Sequence, residues 1–461
     1  MTKCNYDKSP FVPVSNAVHG CRLGWSAIGD ELQQALAKGR SEKPILVVEC
    51  YPGVDEPTII KELKARLSPA LTIHAAEALL PAPKINALVA PFLGGDHPLS
   101  GRLSNLSLVN FFSAEPLWHF RRIIDEWKTG LILIVGCGAS LIAWGHLLIY
   151  ADLTRCEATL RFGRNEAANL GVQNHAAPAS QRCQRAFFVD WRVADRWKRP
   201  LINRWDFVLD TNHPEEPKLA DGEDVRRGLR EATRRPFRLV PSFDPAAWAG
   251  QSPKNLCDLD GAGINLSRCF DCVPEENSLA LGLGETRFEL PALDLIFHQP
   301  DALLGHHVRV SFGGEFPIRF DLVNTMDGGD LSLQIHAVAN GRWKRDTRWV
   351  KQDLASRFEP VSAGDGWREE RTGPSGDHVI ETRRHWFRKR VPHHTHGSVN
   401  VLNLVEGEAV VVESPAGAFA PFIVHHAETF IVPADVGEYT IRPHGPATDH
   451  ECATIKAFVR T

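Results

Sequence analysis

FPIRFDLVNTMDGGDLSLQIH, Phe316 to His336, closes on six residues that alternate in character. Leu331, Leu333 and Ile335 are apolar, whereas Ser332, Gln334 and His336 are polar. Successive side chains of a strand point to opposite faces, so the spacing predicts a strand with one apolar and one polar face. Gln334 and His336 then share a face two residues apart. An amide oxygen and a neutral imidazole nitrogen can ligate one small divalent ion such as zinc. The same letters also describe the plain outer face of an antiparallel strand, and a bare Q-x-H does not choose between the two.

The surrounding words narrow the choice. An apolar-Pro-apolar-basic lead-in, a glycine turn and L-S-x-Q-x-H are carried by Pro317, Arg319, Gly328, Gly329, Leu331, Ser332, Gln334 and His336. Together they resemble the first metal-binding strand of the class I mannose-6-phosphate isomerases. The resemblance implies an antiparallel β jelly roll of cupin type, one Zn2+ per chain with Gln334 and His336 among its ligands, and a phosphorylated hexose as substrate. The implied reaction interconverts mannose 6-phosphate and fructose 6-phosphate. The metal polarises the sugar oxygens at C1 and C2, a protein base moves a proton through an enediol, and basic side chains hold the phosphate. Arg319 is a candidate supporting cation, against which a surface or core-rim arginine is the simpler reading.

The family places a proline after this histidine, where Ala337 stands here. The text that follows, AVANGRWKRDT, resembles a point well downstream in the family, as though the middle of the catalytic domain were absent. The remaining ligands, a Glu and a second His, and the catalytic base therefore map onto no residue, and the first cupin reads as incomplete. A catalytically inactive or truncated relative, acting as a binding or scaffold protein, is the alternative.

Upstream, residues 1–245 read as α/β. Trp25, Ile28, Leu32 and Leu36 fall at helical spacing, and Pro44 to Cys50 is a continuous apolar run suited to a strand buried on both faces. The following loop, Tyr51 to Thr58, precedes a helix expected over Ile59 to Leu67. Strand, loop, helix is a P-loop layout, yet the loop holds one glycine, two prolines and two acids, which cannot cradle phosphate. Leu131 to Ser140 repeats the layout around Gly136-Cys137-Gly138-Ala139, without G-x-G-x-x-G. The words YDKSPFVPV, LIVGCGASLI, IYADLTRCE, NLGVQN, FFVDWRVADRWK and DFVLDTN resemble the kinase-like extension ahead of some bacterial isomerases of that family. That implies a P-loop kinase-like α/β domain with a degenerate phosphate loop, and no cofactor-binding residues are assigned there.

Downstream of the proline-rich Val240 to Pro245, short alternating runs at 278–283, 287–290 and 307–312 indicate antiparallel β. The organisation expected is thus 1–245 kinase-like, 246–340 a partial metal-binding cupin, and 341–461 a C-terminal cupin-like β domain. In the last segment His394 and His396 form an H-x-H ahead of Glu406 and Glu408, the first half of a cupin metal pattern. Its second half brings Glu438 and Tyr439 where a histidine is expected, so a surface cluster at a strand start is the competing reading. A third arrangement sets His394 and His396 beside Gln334 and His336, and His425 to Glu428 is a weaker cluster of the same kind.

Over 461 residues, a net charge of −4 with both signs interspersed argues against nucleic acid or a membrane surface as the main partner. The 10 cysteines contain one C-x-x-C, Cys269 to Cys272, which does not make a structural zinc knot alone. MTKCNYDKSPFVPV lacks an apolar signal core, and the run Leu131 to Tyr150 is broken by Gly136, Gly138, Gly145 and His146. A reducing cytoplasm fits these features.

Overall fold

The computed structural model describes residues 11–15, 17, 20–93, 104–239, 278–291, 306–311, 319–324, 359–371, 380–426 and 428–459. Gln334, His336, Cys269 and Cys272 lie outside them. Arg319 falls at the start of a strand, with its side chain outside the description.

The N-terminal part comprises β1 (Phe11–Pro13), β2 (Arg22–Leu23), α1 (Gly24–Lys38), β3 (Ile45–Cys50), α2 (Glu56–Leu67), β4 (Leu71–His74), α3 (Ala82–Val89) and α4 (Ala114–Glu126). It continues with β5 (Ile132–Gly136), α5 (Ala139–Ile142), β6 (Leu147–Asp152), α6 (Arg155–Gly163), α7 (Ala179–Arg185), α8 (Trp191–Leu201), β7 (Phe207–Asp210), β8 (Lys218–Asp221), α9 (Gly222–Ala232) and β9 (Phe237–Leu239).

Seven of these strands form one sheet in the order β2-β8-β7-β6-β3-β5-β4. The five from β7 to β4 run parallel, and β8 and β2 are antiparallel additions at one edge. The continuous apolar character of β3 and β5 follows from burial on both faces. Leu46, Val48, Leu133 and Val135 pack under Ile28 and Leu32 of α1 and Ile59 and Leu63 of α2. Val47 and Ile134 face the other way, into the core shared with α3, α4, α8 and α9. Helix α2 starts three residues before the expected Ile59, because Asp55 caps it by accepting the Thr58 N–H, and Pro57 is tolerated in a first turn. The aromatic run Phe187 to Arg192 is helical, a π turn over Ala186–Asp190 that leads into α8.

The hairpin β10 (Ser278–Leu283) and β11 (Thr286–Pro291) pairs with β1 through β10 and shares the α/β core through Leu279, Leu281 and Phe288. Asp210 at the end of β7 accepts the Glu289 N–H at 2.9 Å, which ties the hairpin to the sheet. A second antiparallel pair joins β12 (His306–Ser311) to β13 (Arg319–Asn324).

The remaining strands are β14 (Glu359–Gly364), β15 (Trp367–Arg371), β16 (Ile380–Phe387), β17 (Val391–His394), β18 (Asn400–Glu406), β19 (Ala409–Glu413), β20 (Phe422–His425), β21 (Thr429–Val432), β22 (Glu438–Pro443) and β23 (Cys452–Val459). They form two wholly antiparallel sheets, β14-β15-β16-β23-β18-β21-β9 and β17-β22-β19-β20. One core cluster draws Phe387, Leu402, Leu404 and Phe430 from the first sheet and Val391, Val410, Val412 and Ile441 from the second, so the two pack as a sandwich. Strand β9 reaches over from the α/β part to cover the β21 edge, and the Thr233 hydroxyl donates to Asp435 at 3.0 Å beside it. The architecture is therefore mixed α/β with several β-sheets.

Candidate functional site

Two polar concentrations stand out, one in each part. In the α/β part, strand order reverses beside β3, and in such sheets ligands bind outside the carboxyl ends of the strands at that point. Here the ends are filled by the chain itself. Buried Glu49 accepts the Gly138 N–H at 2.6 Å, and the Ser140 N–H and hydroxyl at 2.8 and 2.6 Å. Glu56 accepts the Cys137 N–H at 2.8 Å and meets the His74 ring at 2.5 Å. The donors of the Cys137-to-Ser140 loop are thus taken up by two internal carboxylates. Burial pushes the Glu49 carboxyl up to about 7 against the pull of the Ser140 and Gly138 donors. The hydrogen bond to Glu56 raises His74. Further along the strand ends, Lys198 pairs with Asp152 at 2.5 Å, and Arg155 with Asp195 at 2.6 Å. All four side chains are buried, and Tyr51 donates to Asp195 at 2.7 Å.

The second concentration lies inside the C-terminal sandwich. Register fixes which side chains turn inward. Glu369 lies opposite His385, His385 opposite Thr454, and Arg383 opposite Lys456, so these five strand positions share the face that carries core Phe387 and Cys452. The facing sheet contributes His393 and Tyr439, which are paired across β17 and β22. Glu369 accepts from His385 Nε2 at 3.0 Å, Arg383 Nη1 at 3.0 Å and the Ser362 hydroxyl at 2.6 Å. Burial opposes ionisation of Glu369, but these donors outweigh it and hold the carboxyl below the usual range. Burial lowers His385 to about 4, so the ring is neutral, and Nε2 carries the proton that faces the carboxylate. The His393 ring lies 4.4 Å from that of His385 and stacks on Tyr439 at 4.9 Å, and burial holds it neutral as well. Tyr439 is fixed from behind by the Asn400 amide, which donates to its oxygen at 2.8 Å.

Among the described residues, His385 Nδ1, both ring nitrogens of His393 and Thr454 Oγ1 have no hydrogen-bond partner. Their side chains are 2%, 5% and 0% exposed, and buried polar atoms normally find partners. Beside them Lys456, 7% exposed, makes no ion pair among the described residues; its Nζ lies 5.2 Å from the Phe458 ring. Burial lowers its ammonium from 10.5 to about 8. Both acids nearby are already matched, because Arg383 bridges Glu369 and Glu381, and Arg371 also approaches Glu381.

His394 and His396 turn outward. Their rings are close, 4.4 Å between centroids, but both residues are exposed, and His394 Nδ1 accepts the His396 N–H at 2.8 Å. The inward histidine is their neighbour His393, which the H-x-H pattern passed over. His425 pairs with Glu428 at 3.4 Å. No group of three or more His, Cys, Asp or Glu that could hold a metal occurs among the described residues.

Residues 24–234 match a family model described as a domain of unknown function (DUF8485). No curated protein matches the sequence. Solved structures with local similarity are phosphomannose isomerases and cupins. Mannose 6-phosphate isomerase from Bacillus subtilis is 12% identical with a TM-score of 0.18, over 22% of this chain and 28% of that one. A phosphomannose isomerase variant from Salmonella typhimurium is 15% identical at 0.18, over 23% of each chain. An RmlC-like cupin from Shewanella frigidimarina is 20% identical at 0.18, over 24% of this chain and 87% of that one. This chain thus spans about a quarter of the two isomerases it matches.

Proposed function

We propose that the chain is a metal-dependent aldose–ketose isomerase that interconverts mannose 6-phosphate and fructose 6-phosphate. The observation that carries this reading is the lettering of Phe316 to His336, where L-S-x-Q-x-H follows the Pro317 and Arg319 lead-in. Gln334 and His336 would hold the ion; the donor types suit zinc, which in catalytic sites commonly has three protein ligands and an open position. When bound, the metal supplies Lewis-acid polarisation of the sugar oxygens. No described residue is assigned as the base. The described cysteines Cys21, Cys50, Cys137, Cys156, Cys183 and Cys452 are free thiols, which supports a reducing compartment such as the cytoplasm. Among the described residues no helix is long and apolar enough to cross a membrane.

A second reading, a relative that binds without turnover, is favoured by Ala337 and the AVANGRWKRDT text, which leave the family's further ligands without counterparts. Losing only supporting groups around a metal costs tenfold or more in affinity, so missing ligands cost more. Purified chain supplied with zinc separates the two. The isomerase reading requires fructose 6-phosphate formation in a coupled assay that His336→Ala abolishes. Turnover no higher than the blank, with substoichiometric zinc, ends it in favour of the silent relative.

A further inference from the structure

We propose that the interior of the C-terminal sandwich binds a small hydroxyl-bearing oxyanion of the phosphate class, seated between His385, His393, Thr454 and Lys456. The site is built from residues other than Gln334 and His336 and stands whether or not the chain is an isomerase.

Complementarity is the argument. An ammonium drawn out of water without a counter-ion is costly, and a bound anion is the direct remedy. Among the described residues Lys456 is such a group, since Glu369 and Glu381 are both engaged by Arg383. Around it stand buried atoms whose hydrogen-bonding capacity is unfilled. The Thr454 hydroxyl and one His393 nitrogen can donate to an anionic oxygen. His385 Nδ1, left bare because Nε2–H faces Glu369, accepts, as does the second His393 nitrogen. Such a set calls for a ligand that is both anionic and hydroxylated, as HPO4 2− is, or a phosphate ester whose organic part carries a hydroxyl group, and a plain carboxylate would leave the bare acceptors unfilled. A metal cation is disfavoured by Lys456 and Arg383, both of which lie 5.2 Å from the Phe458 ring. Those two cations also depress the exposed His396, after its own desolvation and His394.

The groups facing Lys456 are Glu369 from β15, Glu381, Arg383 and His385 from β16, and His393 from β17. With both histidines neutral, the group that titrates between pH 7 and 10 is Lys456, so affinity should fall as pH rises through that range. The test is calorimetric titration of the full chain, in a buffer free of competing oxyanions, with inorganic phosphate and, separately, glycerol 3-phosphate. The expected result is a saturable site that Lys456→Met and His393→Phe each weaken at least tenfold and that Lys456→Arg holds within a few-fold. Circular dichroism confirms that each variant is folded. Tighter binding of the ester than of free phosphate identifies an ester as the physiological class, and the reverse identifies free phosphate. No saturable heat with either probe overturns the proposal. So does a folded Lys456→Met that titrates like the parent, or a zinc site that Lys456→Met strengthens.

Discussion

Replacing Lys456 with Met should make the ligand-free protein more stable at neutral pH. The side chain is 7% exposed, makes no ion pair among the described residues, and has its ammonium lowered from 10.5 to about 8, chiefly by burial. A difference of that size corresponds to about 3 kcal/mol of penalty on the charged form. Below pH 8 the lysine is charged in both folded and unfolded chains, so the penalty is fully felt. Between pH 8 and 10.5 the folded form releases its proton before the unfolded one does. The unfolded state then binds more protons and stability rises with pH. Methionine has a similar unbranched shape and no charge, so packing should change little. The expected result is a gain of about 1–3 kcal/mol at pH 7, which shrinks toward zero by pH 10.5. Urea unfolding of both proteins at pH 7, 9 and 10.5, followed by circular dichroism, reads the difference, and groups common to both proteins cancel. A variant less stable than the parent at pH 7, or a gap independent of pH, would refute the picture of an uncompensated buried cation. Adding phosphate should stabilise the parent alone and narrow the gap by mass action.

Three further outcomes follow from the α/β part. Gly138 has φ +86°, and a Cβ there would lie 2.4 Å from the Phe112 ring, so Gly138→Ala should cost about 2–4 kcal/mol in urea unfolding; an unchanged midpoint would contradict the loop geometry. Glu49, 1% exposed, has its carboxyl raised from 4.5 to about 7, mainly by burial. Its contribution is fully present below pH 4.5 and lost as pH rises through 7, so the parent's stability relative to Glu49→Gln should fall by about 3 kcal/mol across that interval. A flat difference would show that the carboxylate stays ionised. MgATP should give no saturable heat, because Glu49 and Glu56 occupy the Cys137, Gly138 and Ser140 donors; saturable binding would mean that the carboxylates yield.

Local pattern made much of the fold legible. The β3 run could be read because burial on two faces leaves no polar alternation to confuse it, and α1 because Ile28 and Leu32 repeat at helical spacing over its buried face. Phe187 to Arg192 gave no periodicity that distinguished helix from strand; it continues α7 through the π turn into α8. The acids of the Tyr51–Thr58 loop pointed away from phosphate binding, but the partners of Glu56 in that loop and of Glu49 in β3 lie 81 and 91 residues away, beyond any local motif. The sandwich interior was least legible. H-H-T-H contains two overlapping parities, and the choice of His393 over His394 as the inward ring is made by its register opposite Tyr439 on β22. Lys456, Thr454 and His385 belong to no spacing motif; cross-strand pairing alone brings them together. One signal could have pointed there: Thr454 and Lys456 alternate with apolar residues on a strand that reads as core.

The most direct test of the functional reading is a coupled mannose-6-phosphate isomerase assay with zinc content measured on the same preparation, for the parent and for His336→Ala. The account predicts zinc-dependent turnover in the parent that disappears, together with the bound zinc, in the variant. Absence of turnover in a zinc-replete parent, or equal turnover in the two proteins, would contradict it.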